Sequence, residues 1–209
     1  MQSTLLRVFE RRLLKKNARE RILSTFDKIQ EAPGLEGPLF VLAHLLVPHP
    51  PYLFDRNGAQ PPDLPFKLQD EVWKNKAAHV EQTLFTNVKV LAMVDALLGA
   101  PGPAPIIIVQ GDHGSAASGT FKSPTEELIR ERMRILSAFY FPEHRRPQPP
   151  ADITPVNTFR FIFTHFFAAR LPLLEDKLYF STYERPYAFE DVTALLRATD
   201  GSASSATQD

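Results

Sequence analysis

The chain is 209 residues long and 44% hydrophobic, enough for one sizeable core and too short for two full-sized catalytic domains. Its 24 Lys/Arg balance 24 Asp/Glu, so the basic excess of a nucleic-acid-binding domain is missing. The absence of Cys excludes disulfides, thiolate zinc sites and cysteine nucleophiles. No apolar run reaches the ~18 residues of a membrane span. The longest, residues 39–54, is broken by His44, His49 and three prolines, and Arg7, Arg11, Arg12, Lys15 and Lys16 interrupt the place of a signal-peptide core.

Charge is uneven along the chain. Residues 1–30 hold eight Lys/Arg against three Asp/Glu, leaving the remainder with sixteen against twenty-one. Leu5, Phe9 and Leu13, then Ile22, Phe26 and Ile29, predict a basic amphipathic helix over residues 1–32, ended by Pro33-Gly34. Its apolar stripe needs a surface, either this domain or an anionic membrane. Residues 39–43 read as a buried strand, and residues 48–65 as an irregular proline-rich loop. A long helix follows, with Val80, Leu84, Val88, Leu91 and Val94 or Leu98 as its apolar pattern. Residues 106–109 (IIIV) read as a second buried strand, so the order strand, helix, strand predicts a βαβ unit with a parallel sheet.

Further on, Ser123-Pro124-Thr125-Glu126 has the form of a capping box and predicts a helix from there to about Tyr140. Thr154-Pro155 opens an aromatic-rich helix through Phe159, Ile162, Phe163, Phe166 and Phe167, with its phenylalanines expected in the core. Residues 178–181 predict a last strand. Residues 33–197 are thus expected to form the folded domain and residues 198–209, poor in large apolar side chains, a disordered tail.

The most informative stretch is residues 106–114, IIIVQGDHG, where a buried strand runs into an Asp-His pair flanked by glycines. Ligand sites in α/β sheets lie at the carboxyl ends of strands. A carboxylate beside an imidazole suits a divalent metal, and Gly111 and Gly114 permit the sharp turn that brings Asp112 and His113 together. A plain turn with a hydrogen-bonded histidine has the same sequence signature. The second constellation is His44 and His49 in HLLVPHPPY, past the first expected strand and so expected on the same sheet edge. Prolines on both sides of His49 restrict its backbone. His44 also reads as a hydrogen-bonded core histidine, and His79, His144 and His165 read as structural or solvated.

The blocks PLFVLAHLLVPHPPYLFD, EQTLFTNVKVLAMVDALL, IIIVQGDHG, RERMRILSAFYFP and ITPVNTFRFIF together resemble a known group. Over roughly residues 5–195 the chain resembles the C-terminal half of bacterial membrane-anchored sulfatase-like proteins of the alkaline phosphatase superfamily, related to lipoteichoic acid synthases and phosphoethanolamine transferases. The resemblance implies an α/β fold, a partial sulfatase-like sheet flanked by helices. It implies a divalent cation, Mn, Mg or Zn, held by Asp112 and His113, and contact with the phosphate or sulfate of an ester substrate by His49 and, less directly, His44. Asn157 and Arg160 have a recurrent place in such sequences, with a sheet-packing or loop-bracing role expected.

The departure from the pattern matters equally. The family's first acidic metal ligand and its nucleophile belong to segments that have no counterpart here, so no catalytic nucleophile is assigned and a weak, incomplete metal site is expected. Ser115, Ser118 and Thr120 follow the turn, but no motif places a base beside them. Three readings stay open. The chain is a sulfatase-like hydrolase or transferase by ancestry, a catalytically inactive fragment or pseudoenzyme, or an interaction module whose basic helix engages a membrane surface or a partner. Expected partners are a phosphate or sulfate ester, a complementary N-terminal half or a second copy, and no nucleic acid. The relatives carry this domain outside the cytoplasmic membrane, although no signal peptide or membrane span is read here.

Overall fold

The computed structural model describes residues 4–62, 70–142 and 147–197, with side chains of the first helix described from Ala18 onward. The expected tail, His144, and the side chains of Leu5, Phe9 and Leu13 lie outside that description. The chain divides into two units, residues 1–105 and 106–209. Helices combine with small antiparallel sheets, a mixed α/β composition in general terms.

In the first unit, α1 (Thr4–Glu31) runs into a short 3-10 turn (Ala32–Gly34), ending where Pro33-Gly34 predicts. After the irregular segment, α2 (Asp70–Trp73) and α3 (Lys76–Gly99) follow, the latter capped by Asn75, whose side chain accepts from the Ala78 amide at 3.0 Å. Ile22 and Phe26 of α1 pack with Leu53, Phe54, Phe85 and Met93 into one core. Burial of each such side chain stabilises by about 1.5–3 kcal/mol. Phe54 stacks on Phe85 at 4.6 Å between centroids, and the Arg19 guanidinium lies over the Phe54 ring, 4.4 Å from its centroid. Arg19 also donates to the carbonyls of Leu53 and Gly58. Burial lowers its pKa, an effect opposed by Asp55. Gly58 (φ +81°) has no alternative, because a Cβ there would stand 2.6 Å from the Phe85 ring.

Two expectations fail in this unit. Residues 38–47 form neither helix nor strand, and Leu39, Phe40, Val41 and Leu42 are exposed. The βαβ unit therefore does not form among the described residues, because an apolar run becomes a strand only where another strand completes its hydrogen bonds. The buried face of α3 is also opposite to the one expected. Gln82, Phe85, Thr86 and Met93 are buried, whereas Val80, Leu84, Val88, Leu91 and Leu98 are exposed; of the expected pattern only Val94 packs against the core. Both faces of this helix are apolar, so periodicity alone does not choose between them.

In the second unit, β1 (Ile107–Gln110) pairs antiparallel with β2 (Ser137–Tyr140), with Ile108 opposite Phe139 and Val109 opposite Ala138. The helix expected to reach Tyr140 is instead α4 (Glu126–Met133), and its cap is Thr125, not Ser123. Thr125 Oγ1 accepts from the Leu128 amide at 3.2 Å. Glu126 and Glu127 in the first turn and Arg130 and Arg132 in the last complement the helix dipole. Beyond it, residues 137–140 gain more as the partner of β1 than as further helix.

The next helix, α5 (Pro155–Phe166), begins at Thr154-Pro155 as expected. Its Phe161 and Ile162 form a core with Ile153, covered by Ile108, Phe139 and Phe166. Phe159, Phe163 and Phe167 are exposed, so only part of the aromatic run is core. A last two-stranded ladder, β3 (Tyr179–Phe180) with β4 (Glu190–Asp191), packs Phe180 and Val192 against Ile129 of α4.

Candidate metal and anion site

The turn after β1 is built by the C-terminal end of α4. The Gly111 amide donates to the Leu136 carbonyl at 2.9 Å, and the Gly114 amide to the Arg132 carbonyl at 2.7 Å. Arg132 returns the contact, its Nη1 donating to the Gly114 carbonyl at 2.8 Å. A Cβ at position 114 would lie 2.0 Å from the Glu131 carbonyl and 2.5 Å from that of Arg134, both backbone atoms. The second glycine of the motif is thus required by close approach of loop to helix.

Within this turn, His113 Nδ1 faces the Gly114 carbonyl at 3.0 Å. A carbonyl only accepts, so Nδ1 carries the proton in the neutral ring and Nε2 carries the lone pair. Nε2 stands 3.7 Å from Asp112 Oδ2. Two donors bound to one divalent ion at ~2.1 Å are separated by roughly 3–3.5 Å, and a small side-chain rotation closes the difference. A backbone carbonyl holding the second nitrogen is the usual support of a ligating histidine. Asp112 is open to solvent, its side chain 80% exposed. Among the described residues, no group of three His, Cys, Asp or Glu side chains that could hold a metal ion is present.

The loop continues into a second support that sequence reasoning missed. The Glu131 carboxylate accepts from the amides of Ala117 at 3.0 Å and Ser118 at 2.8 Å. Burial raises the Glu131 pKa, but the donor groups of Ser118, Ala117 and Ser115 turned towards the carboxylate outweigh it and hold the carboxyl below its ordinary value. The serine hydroxyls are buried without ideal hydrogen-bond geometry, so the amides are the contacts that define the loop. Burial likewise lowers the Arg132 pKa, opposed by Tyr183, Asp112 and Glu131. Adjacent acidic and basic residues at a helix end are common, and nothing in their spacing marks them as supports of a loop thirteen or more residues upstream.

His44 and His49 belong to the first unit, and Asp112 and His113 to the second. The strand expected to carry the two histidines to a shared sheet edge is not formed. His44 is exposed. His49 is half-buried, edge-on to Trp73 with centroids 4.7 Å apart, and its Nδ1 faces the Pro50 carbonyl. Gln82 pins this loop to α3. Its Nε2 donates to the His49 carbonyl at 3.1 Å, while its Oε1 accepts from the Leu53 and Phe54 amides at 2.6 and 3.2 Å. Asn157 and Arg160 brace the loop after α5. Asn157 Nδ2 donates to the Leu174 carbonyl at 2.8 Å and to Asp176 Oδ1 at 2.9 Å, and Arg160 Nε to the Pro172 carbonyl at 2.8 Å.

Comparison of the chain with family models, curated proteins and solved structures returned no match. Among the described residues no helix is long and apolar enough to cross a membrane.

Proposed function

We propose that this chain carries part of a sulfatase-like, metal-dependent hydrolase or transferase of phosphate or sulfate esters, with Asp112 and His113 as two ligands of a divalent cation. The observation that carries the reading is the turn after β1, where Asp112 Oδ2 and His113 Nε2 stand 3.7 Å apart and His113 Nδ1 faces a backbone carbonyl. When bound, a divalent ion supplies Lewis-acid stabilisation of charge on the transferring group. The residues of this chain hold and orient. Gly114 and Arg132 set the turn, and the Gly114 carbonyl selects the histidine tautomer.

Asp112 and His113 supply two ligands, so the proposed site takes the rest of its coordination sphere from solvent or another polypeptide, and an inactive chain is the alternative reading. Metal content after manganese or zinc loading and desalting, compared with Asp112→Ala/His113→Ala, tests the site directly. Retained metal in the wild type, lost in the variant, would mean that this chain or a dimer of it completes the site, whereas no retained metal in either is the result for a site left incomplete. Its discriminating companion is metal-dependent hydrolysis of an activated phosphodiester, expected to be absent or very slow. Activity unchanged by Asp112→Ala would reject the assignment.

A further inference from the structure

The face of α3 that faces away from its core carries a seven-residue repeat, Leu84, Leu91 and Leu98, with Val88 between the first two. All four side chains are exposed, Leu91 by 64%, and lie roughly half a turn from buried Gln82, Phe85 and Met93. At ~1.5 Å per residue Leu84 to Leu98 span about 21 Å of the 24-residue helix, two heptad intervals. A helix apolar on both faces belongs in an interior, and a repeat of seven suits another helix rather than a sheet or a small ligand.

We infer that α3 pairs with α3 of a second copy of this chain in an antiparallel two-helix interface centred on Leu91. The occupant and its direction follow from the two polar residues on the stripe, Asn87 and Asp95, both exposed. In a parallel pair each Asp95 would face its own copy, placing like charges together. Reversing one helix about Leu91 sets Leu91 against Leu91 and Leu84 against Leu98 of the partner copy, with Val88 flanking them, while Val94 stays on its own core. The same operation sets Asn87 against Asp95, an amide donor against a carboxylate acceptor. Apolar residues thus meet apolar ones and the only charge on the stripe meets a hydrogen-bond donor, the self-complementarity that a twofold interface requires. The pairing does not depend on the metal site.

The test is the mass of the full chain by analytical ultracentrifugation across a concentration series, together with cysteine cross-linking, which starts from a chain with no cysteine. A mass twice the 23.6 kDa of one chain is expected, returning to that of one chain in Leu91→Glu with helix content retained. Under mild oxidation Leu91→Cys should cross-link between copies. Leu84→Cys alone should not, because antiparallel pairing separates the two positions by about 21 Å along the axis, whereas Leu84→Cys/Leu98→Cys should. A wild-type monomer at all concentrations overturns the inference. So does a Leu91→Glu variant that loses thermal stability while its mass stays that of the wild type, since another part of the same chain would then cover the face. Cross-linking by Leu84→Cys alone overturns the antiparallel register.

Discussion

Residues 106–109 and residues 39–43 have nearly the same local character, a short apolar run entered through proline, yet they end differently. The first becomes β1, hydrogen-bonded to β2 and covered by Phe161 and Ile162 of α5. The second stays outside any ladder, with Leu42 79% exposed. What separates them is what lies elsewhere in their own units. Residues 137–140 offer β1 a matching edge and α5 offers it an apolar face, whereas α1 and α3 already bury their inner faces on Phe54 and Phe85. Strand formation is therefore a property of a pair and its cover, and apolar character alone confers only eligibility.

The largest effect should come from removing the cover of β1. Phe161→Ala empties the space beside Ile108, Phe139 and Phe141 and should cost about 3–5 kcal/mol. Hydrogen exchange at the Ile108 and Val109 amides should accelerate accordingly. Unchanged protection would mean that α5 does not hold the ladder.

A smaller effect is expected at the loop that β1 feeds. Glu131→Gln replaces a charged acceptor of the Ala117 and Ser118 amides and should cost about 1 kcal/mol at neutral pH. The Glu131 carboxyl is held below its unfolded value, so its contribution is present above the unfolded pKa and disappears as pH falls through the folded one. Between about pH 5 and pH 3 the urea midpoint of the wild type should therefore fall further than that of the Gln variant. Parallel curves would show that the carboxylate contributes nothing to the turn.

The smallest effect belongs to the run that found no partner. Leu42→Ser should change stability by less than about 0.5 kcal/mol, measured by the same urea titration. A loss above ~1.5 kcal/mol would place Leu42 in a packed environment and remove the contrast with β1.

The turn that carries Asp112 and His113 was legible because its signals are local. Two glycines around Asp112-His113 after a β-branched run predict a sharp turn at a strand end, and the structure has one there. The supports were not legible. Glu131 and Arg132 act through the amides of Ala117 and Ser118 and the carbonyl of Gly114, and which loop a helix end meets depends on the whole path between them. Gln82 is the same case, a polar residue inside an apolar pattern whose reason becomes visible only when Leu53, Phe54 and His49 present their backbone to it.

By itself the sequence determined where α1 stops, where α5 starts and where the chain turns after β1. Proline geometry and helix-end solvation act within a few residues and are the same in any fold, whereas the close approach that requires Gly114 comes from α4. Only the tertiary structure decided which face of α3 is buried, that residues 137–140 form a strand, and that residues 39–43 do not. Each of those outcomes depends on which distant surface removes an apolar group from water, or completes a hydrogen bond, at the lowest cost in chain entropy.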